Sequence, residues 1–419
     1  MDKFGLLGGN LPHSISPDIH AFFGDYQYDL YEAKGGSVAD FLKTYPDLKG
    51  FNVTIPFKKK LSHVVHEMSS EAELSGSVNV VMRRADGTLF GDNTDKAGFE
   101  MMLRHEKLDV NGKKALILGN GGAAGAVRAA LEGMGAKTVT ISRRGPVTYE
   151  QLDEHKDANF VVNTTPLGMF PNVEESAISF DGFTNCEAAI DLIYNPLHTA
   201  FLLDAKRHGI RAVNGLYMLV AQAFKSAEIF RETKLPLESL QTAYSTTLRD
   251  RTNIILIGMP GSGKSLISNI LSEKMGRLNL DTDSSVLVLT GKTAAEIIEK
   301  EGEAAFRKTE NKAAATLGKR TGLIIATGGG IVTEEENYRP LAQNGIIFHI
   351  KRNLEDLPTE GRPLSERIGL EALYEARGPI YEEWADVEVE NTDPEKAADE
   401  IIEIFENYCR TGRIPNIKR

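Results

Sequence analysis

Gly258-Met259-Pro260-Gly261-Ser262-Gly263-Lys264-Ser265 decides the fold of the half of the chain that it opens, because an apolar run, Asn253 to Ile257, precedes it and a helical pattern, Leu266 to Met275, follows. Strand, glycine turn and helix start in that order make a phosphate cradle. Glycines let backbone N–H groups converge on phosphate oxygens, while Lys264 adds a cation and Ser265 a Mg²⁺ ligand at a helix N-terminus. Gly261, Ser262, Gly263, Lys264, Ser265 and Leu266 are therefore the candidate nucleotide-phosphate residues. The alternative, a chance cluster of glycines, does not account for the strand and helix on either side.

Composition narrows the class. The chain has 419 residues, 41% hydrophobic and 26% charged, the profile of a folded protein long enough for two or three cores. A net charge of −11 argues against nucleic acid or an anionic membrane as the main partner and makes small-molecule chemistry the default. Cys186 and Cys409 stand far apart, and no apolar stretch approaches the ~20 residues of a membrane span. With no long apolar region following Met1, a cytoplasmic enzyme is expected.

Working back from the cradle, Pro236 and the polar stretch Ser245 to Arg251 predict a boundary, with a linker at 249–252. Upstream of it, strand-like runs at Ala115 to Gly119, Thr138 to Ser142, Phe160 to Asn163 and Ala188 to Ile193 alternate with helical patterns, which predicts parallel α/β sheets. Gly119-Asn120-Gly121-Gly122-Ala123-Ala124 follows the first of these as a G-x-G-x-x-A turn, so Gly119, Gly121, Gly122 and Ala123 are candidate dinucleotide contacts. The next strand ends in Ser142-Arg143-Arg144. Adjacent arginines there suit a 2′-phosphate, predicting NADP(H) over NAD, unless they are merely solvated.

Nearer the start, Pro12-His13-Ser14-Ile15-Ser16-Pro17 sets two hydroxyls on one face, and Asn52-Val53-Thr54-Ile55-Pro56-Phe57-Lys58 sets Thr54 and Lys58 about a proline turn. Asn79 and Gly91-Asp92-Asn93-Thr94-Asp95 add amides and carboxylates. Each is ordinary turn chemistry alone; together they describe a pocket for a small polyhydroxylated acid. Lys58 is either the proton donor to a reacting oxygen, oriented by Asp95, or the first of a solvated run with Lys59 and Lys60.

Downstream of the cradle, Asp281-Thr282-Asp283 offers two carboxylates at a strand end, for metal and for the attacking hydroxyl or for helix capping. Glu303 and Arg307 fall one turn apart on a helix, a spacing that a surface pair also has. Gly328-Gly329-Gly330 permits close backbone approach, and Gly361-Arg362-Pro363-Leu364 and Arg377 supply cations for a carboxylate and a phosphate. His63 and His66, three apart on a predicted helix, lack a third ligand nearby and read as a solvated face. Trp384 reads as core.

These pieces resemble two families in tandem. Ser-x-Ser-Pro, Asn-Val-Thr-x-Pro-Phe-Lys, Asn-Thr-Asp, Gly-x-Gly-Gly-Ala, Asn163-Thr164-Thr165-Pro166-Leu167-Gly168-Met169, Asp191-Leu192-Ile193-Tyr194-Asn195-Pro196 and Gly215 to Gln222 are similar, in order and spacing, to shikimate dehydrogenase. Residues 252 to 415 resemble shikimate kinase. The first resemblance implies a two-lobed α/β enzyme with a Rossmann-type lobe: a substrate lobe at 1–98, an NADP lobe at 99–214 and helices at 215–248 returning to the substrate lobe. It implies that Ser14, Ser16, Thr54, Lys58, Asn79, Asn93, Asp95, Tyr194 and Gln222 hold shikimate. Thr164 and Gly215 join Ser142, Arg143 and Arg144 at NADP(H).

The second resemblance implies a P-loop, NMP-kinase-like parallel-sheet domain at 253–419 that uses Mg²⁺ with ATP. Asp283, Arg307, Gly329, Gly330 and Arg377 would hold shikimate, with Asp283 catalytic. Ser265 and Asp281 would serve the metal, Asp281 through water, and Arg362 would close a lid over ATP. Lys96, Gly125 and Ser142-Arg143-Arg144 depart from the dehydrogenase pattern. The combined expectation is reduction of 3-dehydroshikimate to shikimate and its phosphorylation to shikimate 3-phosphate. Quinate as substrate, or a sensor that has lost one activity, are the alternatives; homodimerisation is left open.

Overall fold

A computed structural model describes residues 1–12, 14–33, 37–357 and 369–414. The chain divides into two compact units, Met1–Asn195 with Thr199–Tyr244 and Ser245–Arg419 with Pro196–His198. The first contains two sheets.

One sheet gathers β1 (Lys3–Gly8), β2 (Gln27–Glu32), β3 (Gly50–Val53), β4 (Glu67–Met68), β5 (Val80–Arg83) and β6 (Leu89–Asp92), in the order β2-β1-β3-β5-β6-β4. It is mixed, where parallel pairing was expected. β5 runs antiparallel to β3 and β6 because a tight turn joins β5 to β6, with Gly87 at φ 86° and Arg84 N–H donating to Thr88 C=O. Leu7, Phe51, Val53 and Val81 bury one face of this sheet against Phe41, Phe57 and Leu61.

The second sheet is wholly parallel: β7 (Lys114–Leu118), β8 (Lys137–Ile141), β9 (Phe160–Asn163), β10 (Ala188–Asp191) and β11 (Arg211–Val213), in the order β11-β10-β9-β7-β8. Leu116, Leu118, Val161 and Ala189 pack with Phe180, Phe201 and Leu202. Each buried leucine, valine or phenylalanine among them contributes about 1.5–3 kcal/mol. Strand order reverses at β7, so a crevice opens past its carboxyl end, where the Gly119–Ala123 turn begins.

Helix Asp95–His105 presses on helix Leu216–Phe230 at Gly98, where an added Cβ would come within 3.0 Å of Met218 C=O and 3.2 Å of Gln222 Cβ. That close approach carries Gln222 to the first sheet's polar cluster.

The polar stretch expected as a linker is helical instead: Leu237–Arg251 is one continuous helix, and the units divide within it. Buried Leu240, Ala243, Tyr244, Thr247 and Leu248 recur at spacings of three and four. Polar residues between them hide that stripe from a composition reading.

Unit two has one parallel sheet, β12 (Asn253–Ile257), β13 (Asn279–Asp281), β14 (Ile324–Ala326), β15 (Gly345–Lys351) and β16 (Val387–Glu390), ordered β13-β14-β12-β15-β16. β12 is central and buried throughout, as a two-sided parallel strand requires.

His63 and His66 share no helix. The helix there ends at Leu61, and His66 Nδ1 accepts from Leu89 N–H at 3.0 Å beside β6. Trp384 is buried.

Candidate functional site

Lys58 opens the short helix Lys58–Leu61, anchored by buried Phe57. Its Nζ donates to Asp95 Oδ2 at 2.6 Å, with side-chain exposures of 18% and 2%. Asp95 begins its helix, where the backbone dipole favours a carboxylate, and its Oδ1 accepts from Asn79 Nδ2 at 2.9 Å. The same amide reaches Gln222 Oε1 at 3.4 Å, while Asn79 Oδ1 accepts from Thr94 N–H at 2.9 Å. Four of the expected shikimate residues thus form one linked set.

Thr54 leaves β3 with its N–H bonded to Leu7 C=O at 2.9 Å, and Ser14 Oγ donates to Ser16 Oγ at 3.2 Å; all three side chains are partly exposed. Asn93 is placed differently. It is buried, donates to Ser77 C=O and Oγ at 2.9 and 3.0 Å, and accepts from Asp95 N–H at 2.9 Å. It therefore orients Asp95 from behind rather than joining Lys58.

At the dinucleotide turn, Gly119 N–H is held by Ile141 C=O at 2.8 Å, and Gly121 caps helix Gly122–Gly133. A Cβ at Gly121 or Gly122 would meet nothing within 4 Å, so open space lies over the helix N-terminus, with Ala123 in its first turn. Beyond β8, Ser142 is buried and Arg143 and Arg144 are exposed. An open, amide-rimmed N-terminus with two guanidiniums nearby fits a pyrophosphate and a 2′-phosphate. Thr164 Oγ1 donates to Leu118 C=O at 2.7 Å, and Gly215 N–H to Ile193 C=O at 3.0 Å, with half-buried Tyr194 next in the chain to Ile193.

In unit two the helix starts at Lys264, two residues before the sequence pattern suggests. Gly263 at its cap has φ 98°, and Gly258 and Gly261 are also left-handed, so glycine is required for the loop's path. Lys264 is buried, and its Nζ donates to Gly258 C=O and Met259 C=O, each at 2.9 Å. Ser265 and Leu266 are exposed in the first turn. Asn391 Nδ2 donates to Ser262 C=O at 2.7 Å and braces the loop from β16's exit. Asp281 caps the helix Thr282–Thr290, with Oδ1 accepting from Asp283 N–H at 2.8 Å. Ser265 hydroxyl and Asp281 carboxylate are hard oxygen donors, a set that suits Mg²⁺.

The acid–arginine cluster is compact. Arg307 is buried, not the exposed partner that its spacing to Glu303 allowed; its Nη1 donates to Glu310 Oε2 at 2.6 Å and its Nη2 to Glu303 Oε1 at 3.3 Å. A Cβ at Gly330 would sit 2.3 Å from that guanidinium, and one at Gly329 2.7 Å from Pro260 of the phosphate loop. Arg377 Nη1 donates to Gly329 C=O at 3.1 Å, and Tyr381 hydroxyl bonds the same oxygen. Burial pushes the Asp283 carboxyl up, helped by Asp281 and opposed by Lys264 and Arg307. Burial likewise pushes Glu310 up to about 6, against Arg307. Arg362 lies outside the described residues.

Glu310, Tyr381 and Asn391 gained no role from the sequence. Glu310 sits one turn beyond Arg307, a spacing that could have flagged it; Asn391 is 129 residues from its partner and gave no local signal.

Residues 6–81 match the family model of the shikimate dehydrogenase substrate binding domain, and residues 260–406 that of shikimate kinase. Shikimate dehydrogenase (NADP(+)) of Clostridium perfringens is 35% identical over 266 residues, covering 58% of this chain and 97% of that protein. The chain belongs to the shikimate dehydrogenase family. Among solved structures, a chorismate mutase/shikimate 5-dehydrogenase fusion from Clostridium acetobutylicum superposes with TM-score 0.56 at 31% identity, covering 59% of this chain and 97% of that one. The Thermus thermophilus shikimate 5-dehydrogenase in complex with NADP(H) and shikimate gives TM-score 0.54 at 30% identity, covering 58% and 98%. The shikimate dehydrogenase model covers Ser14, Ser16, Thr54, Lys58 and Asn79 and ends before Asp95 and Gln222, while the shikimate kinase model covers Pro260 to Arg377.

Proposed function

We propose that Lys58 is the acid–base group of a shikimate dehydrogenase and Asp283 the hydroxyl-orienting carboxylate of a shikimate kinase, within one bifunctional enzyme. The protein reduces 3-dehydroshikimate to shikimate with NADPH, then phosphorylates shikimate to shikimate 3-phosphate with Mg²⁺ and ATP. The linked set Lys58–Asp95–Asn79–Gln222 carries the first assignment. NADPH supplies the hydride when bound at the Gly119–Ala123 turn, Arg143 and Arg144, with Thr164 and Gly215 on the rim. Negative charge gathers on the carbonyl oxygen as its carbon is reduced, and Lys58 stabilises and protonates that oxygen. Asp95 aims the lysine, Asn79 Nδ2 holds the Asp95 carboxylate, and Gln222 accepts from that same amide. Ser14, Ser16, Thr54 and Tyr194 complete the grip on hydroxyls and carboxylate.

In unit two, Arg307 and Arg377 take the shikimate carboxylate, and Gly329 and Gly330 meet the substrate through their backbone, where Pro260 and Arg307 leave no space for a side chain. Asp283 aligns the 3-hydroxyl and accepts its proton. Ser265 and Asp281, the latter through water, would hold Mg²⁺, and the ion would supply positive charge to the phosphates. Gly261 to Gly263 and Lys264 align the transferred phosphate, and positioning outweighs base strength in such a transfer. We assign the substrate lobe to 1–98 with 215–248 and the NADP lobe to 99–214. A coupled assay with 3-dehydroshikimate, NADPH and Mg-ATP tests the whole, following NADPH loss and ADP release separately. Turnover of quinate in preference to shikimate in either half would overturn the substrate assignment.

A further inference from the structure

Asp191, the last residue of β10, takes no part in the chemistry above. It is fully buried, at 0% exposure. The donors that it meets are neutral: Thr199 Oγ1 at 2.6 Å, Asn163 Nδ2 at 3.0 Å and Ile193 N–H at 3.0 Å. A carboxyl in such a place destabilises the fold relative to a well-packed apolar side chain. Burial pushes it up to about 7, the three donors opposing.

What that carboxyl does is geometric. Asn163 ends β9, and its Oδ1 accepts from Thr165 N–H at 3.0 Å and Thr165 Oγ1 at 2.7 Å, fixing the turn that carries Thr164. Thr164 N–H is bonded in turn to Leu118 C=O at the end of β7, 3.0 Å away. On the other side, Asp191 holds Ile193 N–H directly, and Ile193 C=O receives Gly215 N–H at 3.0 Å. Thr199, tied to Asp191, caps helix Ala200–Arg207. One side chain thus joins the carboxyl ends of β10 and β9, and through Thr164 that of β7, along the crevice edge.

We propose that Asp191 is a positioning residue for NADP(H), setting Thr164 and Gly215 as a single rim. The inference rests on the assignment of this lobe to NADP(H). It is tested on the full chain with Asp191→Leu, Asp191→Asn and Thr199→Val. NADPH dissociation constants are read from its fluorescence, and the shikimate KM at saturating NADP⁺.

Asp191→Leu removes the acceptor of all three bonds and weakens NADPH binding about tenfold or more, while the shikimate KM moves less than about threefold. Asp191→Asn, which keeps an accepting oxygen, restores most of that affinity. Unchanged NADPH affinity in Asp191→Leu overturns the proposal, as does equal loss of both ligands. Should Asp191→Leu not fold, Thr199→Val removes one tie alone. It weakens NADPH about threefold if the proposal holds, and unaltered affinity overturns it. Failure of the unsubstituted protein to bind NADPH would instead overturn the lobe assignment beneath.

Discussion

Lys58 and Lys264 hold the same charge in opposite ways. Lys58 is partnered by a carboxylate 2.6 Å away that amides and a helix terminus hold in place. Lys264 is buried against its own loop's carbonyls at Gly258 and Met259. The first lysine is held in one direction by the fold itself, as the proton transfer proposed for it would require. The second is buried with its Nζ donating to carbonyls of its own loop, and its charge acts on the Asp283 carboxyl. The carboxylate beside Lys58 fixes the direction of its Nζ, whereas loop carbonyls hold Lys264 at the glycine turn.

The sharpest way to break this contrast is Lys58→Ala, which lowers dehydrogenase kcat by roughly 10²–10⁴-fold with the shikimate KM much less affected, measured by NADP⁺ reduction. Lys264→Ala lowers ADP release by roughly 10²–10³-fold and leaves dehydrogenase turnover intact; joint loss of both activities would refute the division of labour. Arg307→Ala raises the kinase's shikimate KM by about 10–100-fold with ATP KM nearly constant, as expected for charge-assisted bonds. Replacing Arg143 and Arg144 together by alanine narrows the preference for NADP⁺ over NAD⁺ by about tenfold. A change of less than twofold would mean that the pair is only solvated.

The smallest effect is in pH. Glu310 is raised from 4.5 to about 6, chiefly by burial, so its charge beside Arg307, Asp283 and Arg377 is lost as pH falls through about 6. The kinase's shikimate KM should climb several-fold from pH 7 to pH 5. The sign for stability is opposite. A raised carboxyl favours the folded state at low pH, and that contribution fades as pH rises from 4.5 through 6. A KM flat across that range would remove Glu310 from the arginine's support.

Local chemistry was the legible part. A strand, a glycine turn and a helix start lie side by side in the chain, so both glycine turns and the α/β plan could be read from spacing. Long-range partnerships were not. Asn93 and Asp95 belong to one short motif, yet only the fold shows that the first amide turns toward Ser77. Arg307 and Glu303 have the spacing of an exposed pair, and burial of Arg307 follows from packing under Gly330. The mixed pairing of β5 and the helical continuation through Ser245 to Arg251 both reflect tertiary packing overriding composition.

That continuous helix, Leu237–Arg251, bears on anyone who would split the gene. A stop codon or cloning junction placed at 249–252 cuts the helix in its final turn and leaves Leu248, 1% exposed, close to a frayed end. A junction in Glu232 to Pro236 keeps the helix whole but takes from the first unit Tyr244, whose ring meets His105 and Tyr217 edge to face.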